Sequence, residues 1–258
     1  MQSRAIPQHQ RLWIISDLHL EDSSDGLLSQ LITTLDSKLL PGDAVVFAGD
    51  IFDSFFGPKS VYFESYRTWV EWCRKLVNSH AVYFIEGNHD FQLQDGFAQK
   101  IPGLRWSERE FEFLIQGTRV YVAHGDLANQ ADHGYLCLRW FFRSPLMRAF
   151  IKFAPDTWID WIGKNASGAS RSLHHYLPEN FEPARLKQLR LIYHQFAKTK
   201  FSEGFSRVIL GHCHDLDQFE QSVDGRDYQY LNMGFPPRHQ SIVLIDKTAQ
   251  RVALDKNS

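Results

Sequence analysis

Residues 11–19 read RLWIISDLH. The apolar run has no alternation, which describes a strand buried on both faces. It then breaks into a carboxylate and an imidazole, Asp17 and His19. The same arrangement recurs downstream. AVVFAG (44–49) is a second buried strand and runs into Gly49-Asp50, with Asp53 close behind. AVYFIEG (81–87) is a third and leads to Gly87-Asn88-His89-Asp90. Between them, residues 27–40 carry apolar positions at helical spacing until PGD stops them, and 60–79 also reads as a helix. This βαβαβ rhythm predicts a sheet with helices packed on its faces.

Farther along, EFEFLI (110–115) and RVYVAH (119–124) are strands joined by QGT, which suggests a hairpin. Residues 131–200 then lose the strand signal and read as helical, interrupted by Pro145, Pro155, Pro178 and Pro183. Strands resume at RVIL (207–210), DQFEQS (217–222), DYQYLNM (227–233) and SIVLID (241–246). The expected organisation is one α/β (α+β) domain over 1–258, with 131–200 as a helical cap insertion. No internal repeat or low-complexity linker divides it.

At 258 residues the chain can bury one full core and is short for two. A net charge of −2 gives no support to a nucleic-acid partner held by bulk electrostatics. Cys73, Cys137 and Cys213 are far apart and odd in number, so no disulfide framework is implied and a reducing compartment fits. The opening MQSRAIPQHQ is polar and lacks the apolar centre of a signal peptide. No apolar stretch approaches the roughly 20 residues that span a bilayer. The expected location is the cytoplasm, with peripheral attachment to a membrane still open.

Two more strand ends complete the chemistry: RVYVA leads to His124-Gly125-Asp126, and RVIL to Gly211-His212-Cys213-His214. In open sheets, ligands bind at the carboxyl ends of strands. Asp, Asn and His are oxygen and nitrogen donors suited to Mn²⁺, Fe²⁺ or Zn²⁺. Asp17 and His19 can serve one ion; Asp50 has two oxygens with which to bridge two; Asn88 adds a neutral oxygen to an anionic shell. Adjacent glycines permit close backbone approach. Any one motif alone reads better as a helix cap or a loop histidine, and a His pair at i, i+2 means little in a chain with 12 His. Five such motifs at five strand ends make His212 and His214 ligand candidates, on the expectation that an extended segment points both to one side.

The series DLH…GD…GNHD…HGD…GHCH, spanning residues 17–214, resembles the calcineurin-like metallophosphoesterase superfamily. The resemblance implies a β-sandwich flanked by helices and two divalent ions, Mn²⁺ first and Fe²⁺ or Zn²⁺ as alternatives. It implies Asp17, His19 and His214 at one ion, Asn88, His124 and His212 at the other, and Asp50 between them. Two ions ~3.5–4 Å apart would activate a bridging water for in-line attack on phosphorus. His89 would contact the phosphate or protonate the leaving oxygen. Asp90 would orient that imidazole, or else cap a helix; Asp53 and Asp126 would support the ligands, or else cap and turn. Cys213 departs from the small hydroxyl residue common at that place and is expected to point away from the ions.

Substrate choice should sit in the insertion. Residues 132–164 interleave aromatic and aliphatic side chains with Arg139, Arg143, Arg148, Lys152 and Lys164. Such a segment either packs on the core or meets a greasy, anionic substrate or membrane surface. HGDLANQADHGY (124–135) is similar to the same segment of the UDP-2,3-diacylglucosamine pyrophosphohydrolases of lipid A biosynthesis, which carry a helical lipid-binding cap here. That resemblance implies a nucleotide-linked acylated sugar as substrate, UMP as product, and work at the cytoplasmic face of the inner membrane. Asn88, His89, Asp132, Tyr135 and Arg171 become candidate substrate contacts. His89 departs from the Arg of the better-known branch, which keeps open another phosphomonoester or phosphodiester as substrate. A non-catalytic scaffold is the third reading, although such relatives lose ligands and none is missing here.

Overall fold

The computed structural model describes residues 6–159, 161 and 181–255. Its centre is two stacked sheets. One has the order β14-β13-β2-β3-β5-β7, built around the parallel strands β2 (Leu12–Ile15), β3 (Ala44–Ala48) and β5 (Ala81–Ile85). The edges are β7 (Arg105–Ser107) and the antiparallel pair β13 (Ser241–Ile245) and β14 (Ala249–Ala253). The other has the order β1-β8-β9-β10-β12-β11, with β1 (Gln8–His9), β8 (Glu110–Ile115), β9 (Thr118–Ala123), β10 (Arg207–Leu210), β11 (Gln218–Val223) and β12 (Arg226–Asn232). β8 and β9 form the expected antiparallel hairpin. A small parallel pair, β4 (Phe55–Phe56) and β6 (Asp90–Phe91), lies beside the strand ends.

The unalternated runs are explained by burial on both faces. Along β2, Leu12 and Ile14 point between the sheets while Trp13 and Ile15 point outward. Along β3, Ala44, Val46 and Ala48 face inward and Val45 and Phe47 outward. The inward set meets Phe113, Val120, Val122, Ile209 and Leu231 of the second sheet in one layer. The outward set is covered by α1 (Gly26–Lys38), α2 (Ser60–Ser65), α3 (Arg67–Leu76) and α4 (Gln94–Lys100). Asp25 caps α1 by accepting from Leu27 N at 2.9 Å. The helix expected over 60–79 is two, parted at Tyr66, whose ring packs on Phe52.

The insertion divides. α5 (His133–Phe142) and α6 (Pro145–Phe153) stand over the strand ends, with no buried residue in α5 and only Ile151 in α6. α7 (Pro183–Ser202) instead buries Tyr193, Ala197 and Phe201 against Tyr121, Val208 and Tyr230, covering the second sheet. The last helix is the short α8 (Pro236–His239). The stretch 164–172, including Arg171, lies outside the described residues, as do His174 and His175.

Candidate metal centre

Past the ends of β2, β3 and β10 the backbone turns left-handed. Asp17 (φ 54°), His19 (48°), Asp50 (52°), His212 (68°) and His214 (56°) all occupy this region. It costs a residue with a side chain about 1–2 kcal/mol and persists only where neighbours over-determine it. The neighbours here are backbone bonds that prolong the sheet into the loops. Asp17 N donates to Gly49 O and His19 N to Asp50 O, each at 3.0 Å, and Gly211 N donates to His124 O at 2.7 Å. Two glycines are fixed by contact: a Cβ on Gly87 would strike the Asp50 carboxylate, and one on Gly211 the Asp17 carboxylate.

Residues 211–214 are therefore not extended, which corrects the expected backbone, while His212 and His214 both still reach the donor cluster. His212 Nδ1 lies 3.2 Å from His124 Nε2, and His214 Nε2 lies 3.3 Å from Asp17 Oδ1. Cys213 does point away, its Sγ accepting from Asn232 Nδ2 at 3.0 Å. The cause is the turn rather than strand alternation.

The donors gather in two adjoining groups. The ligand atoms of Asp17, His19 and His214 lie within 4.8 Å of one another, and so do those of Asp50, His124 and His212. Asn88 Oδ1 joins the second group, 3.1 Å from His124 Nε2. Asp50 Oδ2 stands between the groups, 3.4 Å from His124 Nε2 and 3.8 Å from His19 Nε2. A third group, His19, Asp53 and His89, borders the first.

This donor set fits two divalent cations. The buried His19 Nε2 has no hydrogen-bond partner. His124 Nδ1 lies 3.1 Å from Ala48 O; a carbonyl only accepts, so Nδ1 carries a proton and Nε2 is the nitrogen turned into the group, free to ligate once a cation displaces its proton. Nitrogen and carboxylate oxygen converge with no sulfur among them, a donor set that Mn²⁺, Fe²⁺ and Zn²⁺ all accept.

The electrostatics are those of packed carboxylates and imidazoles. Burial, then the charges of His89 and His214, pushes His19 down to about 3, against the opposing pull of Asp50 and Asp17. Burial, with the charge of His124, takes His212 down to about 4. Burial also opposes charge on His124, but Asp50, Asp17 and Asp126 outweigh it and raise that imidazole to about 10. Asp50 lies well below the ordinary carboxylate range, because His124, His89 and His19 overcome its burial.

The remaining candidates are placed unevenly. His89 Nδ1 donates to Asp53 O at 2.9 Å, which turns Nε2 outward, and its ring meets His19 edge-on at 4.8 Å. Asp90 neither caps α4, whose cap is Leu93, nor holds the His89 imidazole. Its carboxylate accepts from the backbone N–H groups of Gly87 (2.8 Å), Asp50 (3.0 Å) and Ile51 (2.7 Å), tying two ligand loops together. Asp126 accepts from Tyr135 Oη and Arg139 Nε, both at 2.6 Å. The Tyr135 ring centroid is 5.8 Å from that of His212, whereas Asp132 is engaged as the cap of α5.

Three contributors were not read from the sequence. Asn232, fully buried, donates to Gly211 O at 2.9 Å and braces the GHCH turn. Phe235 stacks on His214 at 4.5 Å. Glu86 accepts from Leu93 N (2.9 Å) and Trp106 Nε1 (3.1 Å) behind the Asn88 loop. Asn232 ends β12 and Phe235 follows it, at a strand end that carries no charged motif. Glu86 was read as the end of its own strand.

Among relatives, the chain is 22% identical over 244 residues to a protein named UDP-2,3-diacylglucosamine hydrolase from Pseudomonas entomophila, covering 93% of this chain and 97% of that one. It is 28% identical over 225 residues to a protein of the same name from Pseudomonas putida, covering 86% and 89%. A solved archaeal phosphodiesterase aligns over 95% of this chain and 99% of its own, at 12% identity and a TM-score of 0.43. The family model described as calcineurin-like phosphoesterase matches residues 10–216, which takes in every strand-end motif from Asp17 to His214. The chain belongs to the calcineurin-like phosphoesterase family and is a metal-dependent phosphoester hydrolase.

Proposed function

We propose that this hydrolase cleaves the pyrophosphate of UDP-2,3-diacylglucosamine into UMP and 2,3-diacylglucosamine 1-phosphate. The observation that carries the reading is the cap. Trp140 is 73% exposed, Leu146 74% and Phe153 81%, on helices standing beside a cluster built for phosphate chemistry. Apolar side chains left in solvent next to such a site suit a substrate that is anionic at one end and acylated at the other. The shared name of relatives matching nearly the whole chain supports the same substrate.

In this reading Asp17, His19 and His214 hold one Mn²⁺, and Asn88, His124 and His212 the other, with Asp50 between them. When bound, the ions supply a nucleophilic hydroxide near neutral pH and neutralise the phosphoryl oxygens. His89, fixed through Nδ1, offers Nε2 to the phosphate and protonates the leaving oxygen as the bridging P–O bond breaks. Asp90 acts through the backbone, keeping the Asp50 and Asn88 loops in register. Tyr135, near His212, meets the polar end of the substrate, and Asp132 holds the turn that presents Tyr135. Arg171 is a further candidate contact.

The chain works as one domain capped by α5 and α6. No helix among the described residues is long and apolar enough to cross a membrane. The cap's aromatic surface, with Arg148 and Lys152 beside it, would rest on the cytoplasmic face of the inner membrane, where an acylated substrate resides. Arg139 and Arg143, expected in the same basic fringe, are turned inward and tied to the core.

The test is UMP release from UDP-2,3-diacylglucosamine by Mn²⁺-loaded protein, with His124→Ala as the blank. Metal-dependent release is expected. No release, with hydrolysis of bis-p-nitrophenyl phosphate retained, would discard the lipid substrate and keep the reaction class.

A further inference from the structure

The cap helix α5 is fastened to two ligand loops. At its first turns, Tyr135 Oη and Arg139 Nε both donate to Asp126, two residues beyond the ligand candidate His124. Arg139 Nη2 also donates to Glu108 O at 2.9 Å. At its end, Arg143 Nη2 donates to Gly87 O at 2.7 Å, and the guanidinium lies 5.4 Å over the Phe91 ring. Gln92 Nε2 donates to Phe142 O at 2.6 Å, and the Phe91 and Phe142 rings meet at 5.6 Å, tilted by 46°. Residues 87–92 are the segment that carries Asn88 and His89. Arg143 is 9% exposed and Nε lies 3.6 Å from the fully buried Glu86 carboxylate.

We infer that Arg143 is a positioning residue for the metal centre: through Gly87 O it sets the Asn88–His89 loop, so that α5 splints the two loops supplying Asn88 and His124. The inference rests on the two-ion reading of the site but not on the lipid substrate. The physical reason lies at Gly87. Its carbonyl is held by Arg143 and its N–H by Asp90, and the next residue is Asn88. Releasing the carbonyl frees the peptide that aims the Asn88 side chain. A planar fork spanning Gly87 O and Glu86 is a task for Arg that the single ammonium of Lys performs only in part. The ion held by Asn88, His124 and His212 should therefore weaken, while the ion held by Asp17, His19 and His214 should not.

The experiment is Mn²⁺ titration of the metal-stripped full-length protein by calorimetry. It is paired with kcat and KM on bis-p-nitrophenyl phosphate, a substrate too small to need the cap. Arg143→Ala should weaken one of two Mn²⁺ sites roughly 10- to 100-fold, the range for groups that orient ligands. It should lower kcat on the small substrate with KM little changed. Arg143→Lys should fall between, and thermal melting will show that it is folded. Lys198→Ala, on the exposed face of α7, should leave both sites as they were. Two unaltered Mn²⁺ sites and full turnover of the small substrate in Arg143→Ala and Arg143→Lys would overturn the inference and leave Arg143 a fastener of the cap. A wild-type protein binding fewer than two ions would overturn the two-ion reading itself, and this inference with it.

Discussion

The sandwich and the cap spend the same amino acids in opposite ways. In the sandwich, Phe52 is fully buried and its ring meets Phe55 at 5.0 Å, Tyr66 at 4.3 Å and Trp69 at 4.9 Å. In α5 and α6, Trp140, Leu146 and Phe153 are exposed to solvent, and α5 is held down by hydrogen bonds from Arg139 and Arg143 together with the contact of Phe142 on Phe91. Composition cannot tell these fates apart. What separates them is whether a second apolar layer faces the first. The sandwich is stabilised by extensive burial, whereas the cap is kept in place by a few hydrogen bonds and a small apolar footing around Ile151, and its remaining apolar surface is free to meet something else.

The metal cluster lies where the two regions meet, and breaking it should have the largest effect. Asp50→Ala removes the carboxylate between the donor groups. A loss of several kcal/mol in transition-state stabilisation, about a thousand-fold or more in kcat, is expected in steady-state assays. Circular dichroism should still report a folded sandwich. Next comes the sandwich itself: Phe52→Ala should cost about 3–5 kcal/mol in denaturant unfolding, since its aromatic neighbours cannot close the gap.

A smaller effect is expected at the end of the sheet away from the cluster. Asp43 accepts from Arg11 Nε (2.9 Å), Trp13 Nε1 (3.1 Å) and Leu40 N (2.9 Å). Burial acts to raise its pKa, but the bonds from Arg11, Leu40 and Trp13 prevail and lower it. A depressed carboxylate pKa contributes stability above the unfolded value of about 3.9, and the contribution disappears as pH falls through the lower folded value. Asp43→Ala should cost roughly 1–3 kcal/mol near pH 7 and progressively less below pH 4, as read from urea midpoints across that range.

The smallest stability change should come from the cap. Trp140→Ala is expected to alter unfolding by no more than about 0.5 kcal/mol. It should nevertheless raise KM for the diacylated substrate and spare bis-p-nitrophenyl phosphate. A large loss of stability would make Trp140 part of a core and end the contrast between the two regions.

Much of this architecture was legible beforehand. The buried strands β2, β3 and β5 announced themselves because strands covered on both faces need no polar letters. Short edge pieces did not. β7 has three residues, Arg105, Trp106 and Ser107, and β14 reads AQRVA, so neither carries a period to detect. The candidate ligands were visible because each follows a strand. Their sorting into two groups came from the family resemblance and not from spacing, because it depends on left-handed turns at His212 and His214 that residue spacing does not encode. Asp90 was singled out for the wrong partner: the sequence places it beside His89, but backbone N–H groups from two loops reach its carboxylate first. The braces Asn232 and Arg143 lie far along the chain from what they hold, so no local pattern could reveal them.

The left-handed turns also give the lineage a direction of drift. Five residues that each carry about 1 kcal/mol of conformational cost amount to about 5 kcal/mol, against total stabilities of about 5–15 kcal/mol for natural domains. A descendant released from catalysis could replace Asp17, His19, Asp50, His212 or His214 with glycine and relax the backbone at each step. Each of the five side chains thus carries a conformational cost that glycine would not, and the donor cluster is assembled at the expense of the fold's own stability.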